Sequence, residues 1–334
     1  MTRRLWRSLA TVLAVTLAPQ ARAHHGVAAV GVAGPEGPGA AIETTSPLPL
    51  PQGAVFGMVR TEYVPYQQLA FAEPTNKQYA LFSMAGIGWG IRPWLTLYGF
   101  QPYNVKAQET IGRNQGPGDP NLMLSLAFKW DDGLQLVPEK ESLDDLEDWH
   151  FSTWVASTIP LGATDHLDAS GAPFAPDMQI GFGRPSATIG VAAMKQLSPD
   201  LTWLADASYQ HFVAHDYGFT RYQFGAEARL DTAAVYRMYG RNTVRLDVAG
   251  ELNGLHLQRD RERSAAGGME ALAASGGAVL YGGVGVRLYW GRAAMGLGIR
   301  RAVLKRLNEQ DQQQGSEGLE RFRAAFTMSV SGSI

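Results

Sequence analysis

The sequence predicts an all-β protein: a transmembrane antiparallel β-barrel of about 12 strands, preceded by an N-terminal plug-like segment. Segments of about ten residues alternate apolar and polar side chains, as strands do when one face meets lipid and the other a lumen. The connections between these segments are alternately short and long. The chain has 38 glycines, eight tryptophans and twelve tyrosines but no cysteine, a composition that fits an exported bacterial barrel.

Residues 1–23 have the three parts of a secretory signal peptide. Three arginines precede the apolar run 9–18, and the small-x-small site Ala21-Arg22-Ala23 follows it. The apolar run is too short for a membrane-spanning helix, which needs about 20 residues. We therefore expect export of the chain, with cleavage after Ala23.

Residues 24–53 form a Gly/Pro-rich segment ahead of the first strand. The segment is too apolar for an idle leader and too rich in Gly and Pro for a helix or strand. We expect it to fold into the lumen as a plug, where Glu36 and Glu43 would meet inward-facing arginines. After cleavage His24 would carry a free α-amine beside its imidazole, so His24 and His25 are candidate copper ligands. Alternatively, the two histidines simply begin a flexible polar tip.

Residues 54–334 are expected to form the barrel. Alternation is clear in 243–253, where Val244 and Leu246 oppose Arg245 and Asp247. Three segments with weaker alternation (54–63, 80–91 and 149–158) are predicted from spacing and β-propensity. The predicted strands are 54–63, 80–91, 94–104, 119–130, 149–158, 184–197, 201–213, 219–230, 242–256, 278–290, 293–303 and 320–333.

The connections support this assignment and orient the barrel. With both termini in the periplasm, short turns such as Gly291-Arg292 become periplasmic and long stretches such as 159–183 become extracellular, as barrels prefer. The connection 131–148 breaks the pattern, and there we expect a small helix or an unrecognised strand pair. A soluble periplasmic β-sandwich would also alternate, but the strand lengths and the aromatic residues at strand ends favour the barrel.

Charged residues that oppose the apolar face are expected to line the lumen, because an Arg facing lipid at the midplane costs about 2–4 kcal/mol. Such charges could pass anionic or polar solutes, or they could pair across a narrow lumen and brace it. The expected lumen-lining residues are Asp206, Arg221, Glu227, Arg229, Arg245, Asp247, Glu251, Arg287, Arg300, Arg321 and Arg323.

Nothing in the sequence predicts catalysis. The chain has no G-x-S-x-G motif and no phosphate-binding glycine loop. Ser208 and His211 are close in sequence but fall on opposite faces of one strand. A net charge of -2 gives no reason to expect a nucleic-acid partner. The expected partners are outer-membrane lipid, a small-molecule solute and, during biogenesis, the barrel assembly machinery.

Several short motifs carry a resemblance to a known family. They are His24-His25-Gly26-Val27, Gly37-Pro38-Gly39, Glu43-Thr44, the Pro47/Pro51 cluster, Gly118-Asp119-Pro120, and Trp203 after the turn Ser198-Pro199-Asp200. With these motifs the chain resembles the outer-membrane transporter proteins grouped with the meta-pathway phenol-degradation family. The resemblance implies uptake or efflux of small molecules, aromatic compounds or metals among them, and it carries over no catalytic residue.

We therefore expect a protein of the Gram-negative outer membrane: a porin-like channel or transporter for small solutes, gated by its N-terminal plug. One alternative is a copper-binding outer-membrane protein whose barrel is only an anchor. Another is a soluble periplasmic β-protein.

Overall fold

The structure is a computed structural model that describes residues 37–139, 141, 145–309, 312–313 and 316–333. The predicted signal peptide 1–23 and the candidate copper ligands His24 and His25 lie outside the described residues. Both therefore stay predictions. Of the predicted plug-like segment 24–53, the described part begins at Gly37.

Twelve antiparallel strands form a closed barrel. Neighbours in the ring are neighbours in sequence, and the last strand pairs with the first to close it. The strands are β1 (Ala54–Pro65), β2 (Lys77–Arg92), β3 (Leu95–Gln108), β4 (Asn121–Trp130), β5 (Trp149–Thr158), β6 (Ser186–Ser198), β7 (Leu201–Phe212), β8 (Glu227–Arg241), β9 (Val244–Leu257), β10 (Gly277–Trp290), β11 (Ala293–Leu307) and β12 (Arg323–Ser333).

The predicted all-β barrel is confirmed, and eleven of its strands lie within four residues of their predicted bounds. The prediction 219–230 is wrong, because β8 begins at Glu227 and continues to Arg241. Residues 221–223 belong to a separate small sheet. They alternate because Tyr222 and Phe224 pack with Phe182 and Phe212 beneath the loops, so their apolar side chains do not face lipid.

Connection lengths separate the two ends of the barrel. The short-turn end has the two-residue turns 93–94, 199–200, 242–243 and 291–292, and β1 begins there. The long-loop end carries the connections 66–76, 109–120, 159–185, 213–226, 258–276 and 308–322.

One long connection, 131–148, lies at the short-turn end. It contains a short strand, Leu134–Leu136, which pairs with the end of β4, and a single 3-10 turn at Asp145–Glu147. Of the two expectations for this connection, the 3-10 turn is the nearer to the small helix, and the described part shows one short strand in place of a strand pair.

Small added strands cover the long-loop end. Gly112–Pro117 folds back on β3 as a hairpin. A separate four-stranded sheet combines His215–Asp216, Arg221–Gln223, Arg261–Arg263 and Met269–Ala271 from two loops. These additions place polar loop residues above the lumen.

The outer wall of the barrel is apolar. Exposed side chains include Ile87 (60%), Leu230 (69%) and Trp290 (73%), while charged residues on the alternate positions are buried. An exposed apolar surface of this extent is typical of a protein that lies in lipid. Within the described residues, no helix combines the length and the hydropathy required to cross a bilayer.

Candidate functional site

Most of the charged residues singled out from the sequence lie inside the barrel. Burial distinguishes the lumen face, because the alternate positions of the same strands are exposed to the outside. The buried members of the set are Asp206, Glu227, Arg245, Asp247, Glu251, Arg287, Arg300 and Arg323. Arg229 is also inside, and its guanidinium donates to Glu227 at 2.5 Å.

Two of the predicted lumen-lining residues are elsewhere. Arg221 is exposed in the four-stranded sheet outside the barrel, because the chain enters β8 only at Glu227. Arg321 is exposed and precedes β12. In both cases the predicted strand starts too early: the alternation of side chains continues ahead of the residue at which the strand begins in the structure.

Inside the barrel, ion pairs connect charges of opposite sign on the neighbouring strands β11, β12 and β1. Arg300 donates to Glu62 at 2.9 Å and lies 3.3 Å from Glu43. Arg323 donates to Glu320 at 2.8 Å and lies 3.7 Å from the other oxygen of Glu62. A buried charge without a partner is costly, so these pairs hold the wall together.

The N-terminal segment, defined here as residues 37–50, lies among these side chains. The Glu251 carboxylate accepts hydrogen bonds from the backbone N–H groups of Ile42 (2.6 Å), Glu43 (3.0 Å) and Thr44 (2.9 Å), and from the Thr44 hydroxyl. A single wall carboxylate thus binds three consecutive amides.

Wall side chains also bind the other backbone groups of the N-terminal segment. Asp206 accepts from the Thr45 amide at 2.7 Å. Arg287 donates to the Ala41 carbonyl at 2.6 Å, and Arg60 donates to the Ile42 carbonyl at 2.9 Å. A buried backbone without strand pairing needs such partners, and here the barrel supplies them.

Glycines in the wall make room for the apolar side chains of the N-terminal segment. Ile42 packs on Gly285 and Gly298, and a Cβ at Gly298 would come within 2.8 Å of Ile42. Leu50 packs against Gly88, where a Cβ would come within 2.9 Å of it. The wall is therefore shaped to this segment.

Apolar residues from β1 to β5 line the lumen around Leu50. They form one cluster with it: Phe56, Met58, Met84, Tyr98, Phe100, Met123, Trp154 and Ala156. A second cluster places Ala41 against Met194, Leu204 and Val235. The lumen at this end is thus partly apolar where the sequence analysis expected polar residues alone.

The loop 159–185 enters the barrel from the long-loop end. Lys106 on β3 donates to the carbonyls of Asp177 (2.5 Å) and Gln179 (2.8 Å), and Asn114 donates to the Met178 carbonyl at 2.9 Å. Asp119 accepts from the amide of Phe182 at 2.7 Å. This loop is held by the same kind of side-chain-to-backbone hydrogen bonds as the N-terminal segment.

A cavity of about 80 Å³ lies in the mouth at the long-loop end, between this loop and the strands. Tyr222, Phe224, Lys106 and Asp260 line part of it. The Asp260 carboxylate accepts from the Tyr222 hydroxyl at 2.5 Å and from the Gly225 amide at 2.7 Å. Burial raises the pKa of Asp260 to about 6.

Three carboxylates at the short-turn end come close together, those of Asp131, Asp145 and Asp148. The ammonium of Lys129 lies 2.6 Å from Asp145, 3.6 Å from Asp131 and 3.7 Å from Asp148. Since this cation already lies within 4 Å of all three carboxylates, we do not assign a metal ion to the group.

Sequence reasoning missed Arg60, Glu62, Lys106 and Glu320 as residues of the lumen. Arg60 and Glu62 lie in a predicted strand, two residues apart on one face, and their alternation with Val59 and Thr61 was too weak to single them out. Glu320 belongs to a loop, so no periodicity could find it.

No protein-family model and no curated protein matches the sequence. Among solved structures, the chain is similar to an outer membrane channel from Pseudomonas putida F1, with a TM-score of 0.62 and 12% identity over 86% of this chain and 98% of that chain. It is also similar to the NanC porin (TM-score 0.43, 11% identity, 83% of this chain and 100% of that one). The β domain of the Bordetella autotransporter BrkA gives a TM-score of 0.43, with 11% identity over 84% of this chain and 100% of that one.

The first likeness shows a shared fold, that of a bacterial outer-membrane barrel. The other two TM-scores are too low to add to it. The resemblance to the phenol-degradation family stays a prediction.

Proposed function

We propose that this protein is an outer-membrane channel for small solutes whose lumen is closed by its N-terminal segment acting as a plug. The observation that carries the proposal is the set of wall side chains that bind the backbone of residues 37–50, with the Glu251 carboxylate on three amides. Ion pairs between strands would brace an empty barrel. Wall side chains that form hydrogen bonds with a peptide backbone serve a different purpose: they hold a segment of the chain inside the barrel.

Withdrawal of the plug would leave the barrel intact. None of the described residues 37–50 belongs to a strand of the sheet, so its release breaks no hydrogen bond between strands. Among the described residues, the plug is continuous with a barrel strand at one end, ahead of β1. With the short-turn end in the periplasm, as barrel orientation favours, the plug would leave on the periplasmic side.

The wall beneath the plug indicates the kind of solute. Removal of the plug would free the guanidinium of Arg287 on β10 and that of Arg60, which pairs with Met84 of the apolar cluster that also contains Phe100. Cations next to apolar and aromatic side chains suit small organic anions that carry an apolar part. We therefore favour this class of solute over metal ions.

Single-channel conductance in a planar bilayer tests the proposal. We expect the mature protein to be closed and a variant lacking residues 24–50 to conduct. If both conduct alike, the N-terminal segment does not close the channel. If neither conducts, the paired charges brace a closed barrel and the channel proposal is wrong.

A pair of glycine variants tests the plug without deleting it. In Gly298→Val the new side chain meets Ile42, so the plug should be displaced and openings should appear. Gly250→Val is the matched control, because a Cβ at Gly250 meets nothing within 4 Å and that position is exposed on the outer wall. Openings in both variants would point to a defect of the barrel rather than to release of the plug.

A further inference from the structure

A groove runs along the outer wall of the barrel, on strands β8 to β11 near the long-loop end. It has a volume of about 460 Å³. Its floor consists of small residues, Ala228, Gly254 and Ala278. Leu230 and Leu304, each about two-thirds exposed, form its sides. The groove is apolar, open to the outside and separate from the lumen.

Arg306 and His256 lie at the long-loop end of this groove. Arg306 pairs with Ala278, which pairs with His256 on the next strand, and both side chains are exposed. Arg301 is exposed on the same strand as Arg306. Neither arginine makes an ion pair or hydrogen bond with any of the described residues.

A β-bulge places both arginines on the outer face. Residues five apart on a regular strand would face opposite sides. The register shifts between Leu280 and Tyr281, so that Arg301 pairs with Gly282 and Arg306 with Ala278. These two partners are four residues apart and share a face.

The neighbouring part of the rim, at β1 and the start of β12, carries aromatic side chains. There Tyr63 and Phe322 pack together, with ring centroids 6.3 Å apart, as in the aromatic girdles at membrane interfaces. Arg301 and Arg306 lie on the adjacent strand β11, which pairs with β12. An arginine on the lipid face costs about 0–1 kcal/mol near the interface, and an anionic headgroup would turn that cost into a gain.

We propose that this groove binds one phosphorylated, multiply acylated glycolipid of the outer leaflet. Its acyl chains would lie along the apolar groove, and a phosphate would lie beside Arg306 and His256, with the Arg301 side chain extending toward it from four pairing positions nearer the middle of the barrel. Charge complementarity selects this occupant, because two exposed arginines lie beside the apolar groove and one of them, Arg306, stands at its long-loop end. The inference rests on the outer-membrane placement of the proposed function, with the long-loop end outside.

Native mass spectrometry of the detergent-solubilised mature protein tests the site, with bisphosphorylated lipid A as the probe. We expect one bound lipid A on the wild type and at least tenfold weaker binding to R301Q/R306Q. The matched control is R241Q/R292Q, which removes two exposed arginines at the short-turn end and should bind like the wild type. Each single variant, R301Q and R306Q, should show an intermediate loss.

Three results would overturn the proposal. R301Q/R306Q could bind as well as the wild type. Both double variants could lose binding equally, which would reflect total charge rather than a site. Lipid A without its phosphates could bind the wild type undiminished. Heat-dependent migration on gels verifies that each variant is folded. Because neither arginine touches the lumen, R301Q/R306Q should leave the conductance of the truncated protein unchanged, so this test and that of the channel can fail separately.

Discussion

The two halves of the lumen are occupied by different kinds of chain. At the short-turn end, residues 37–50 are continuous with a strand at one of their two described ends, ahead of β1, and are held by Glu251, Asp206 and Arg287. At the long-loop end, the loop 159–185 is tied to strands on both sides. A segment attached at one end can leave as a unit, whereas a loop attached at both ends can only shift. In the proposed function, this difference puts the gate on the side of the N-terminal segment.

One row of charges joins the two halves. Glu43 of the N-terminal segment pairs with Arg300, Arg300 and Arg323 share Glu62 of β1, and Arg323 pairs with Glu320 in the loop before β12. Substitutions in this row of charges should disturb both the N-terminal segment and the loops at the long-loop end. Substitutions on either side of the row should disturb only one of the two.

The largest effect is expected from Glu62→Ala. It removes the carboxylate that two buried arginines share, and breaking a buried ion pair costs about 3–5 kcal/mol. We expect a clear fall in the midpoint of urea unfolding, followed by tryptophan fluorescence in lipid vesicles, together with openings in the planar bilayer. Glu62→Gln keeps the shape of the side chain, so its unfolding midpoint should fall less than that of Glu62→Ala. An unchanged midpoint in Glu62→Ala would show that the row contributes nothing to stability.

Glu251→Ala should affect only the half closed by the N-terminal segment. It leaves three buried amides without an acceptor, but release of the N-terminal segment would let water hydrate them, so the barrel itself would be spared most of the cost of leaving them unpaired. We expect channel openings, with a smaller change in the unfolding midpoint than for Glu62→Ala. Asn253→Ala is the control: Asn253 lies two residues along on the same face of β9, and its side chain has no hydrogen-bond partner among the described residues. Openings of equal frequency in both variants would contradict the role of the Glu251 carboxylate.

Asp260→Asn tests the half closed by loops, through pH. The pKa of Asp260 is raised by burial from 3.8 to about 6, so the closed loop holds this proton more tightly than an open one. Closure should therefore strengthen as pH falls below 6 and weaken as pH rises from about 4 to 6. Between pH 7.5 and pH 5 we expect about tenfold stronger protection of the amides in 258–276, after correction for intrinsic exchange, in hydrogen-exchange mass spectrometry.

In Asp260→Asn that pH dependence should disappear. The conductance of the protein lacking 24–50 should keep its single-channel size in this variant, since the substitution leaves the lumen wall unchanged. Protection that depends on pH equally in both proteins would assign the titration to another group.

The smallest effect is expected from Arg263→Ala, outside both closures. Arg263 and Asp216 form an ion pair of 3.3 Å in the four-stranded sheet, and both side chains are about half exposed. Such surface pairs contribute about 0–1 kcal/mol. The unfolding midpoint and the closed state should both remain as in the wild type. Openings in this variant would mean that the outer sheet takes part in closure.

The sequence alone determined the barrel, its strand number and the face of most strands. Period-two alternation and turn length are local properties, so they can be read wherever lipid meets one face and polar groups fill the other. The pattern was weak in 54–63, 80–91 and 149–158. In those strands the inward residues Met58, Met84 and Trp154 are apolar, so alternation with the lipid face is lost.

Only the tertiary structure decided what the lumen contains and how its charges are matched. The apolar inner face of β1 to β5 is stable because Leu50, far from most of it in sequence, covers it. The partners of Arg300 come from residues 43 and 62, and the true start of β8 depends on loops that pack over Tyr222. These contacts join residues distant along the chain, and no local pattern of side chains records which distant segment will fill a given space.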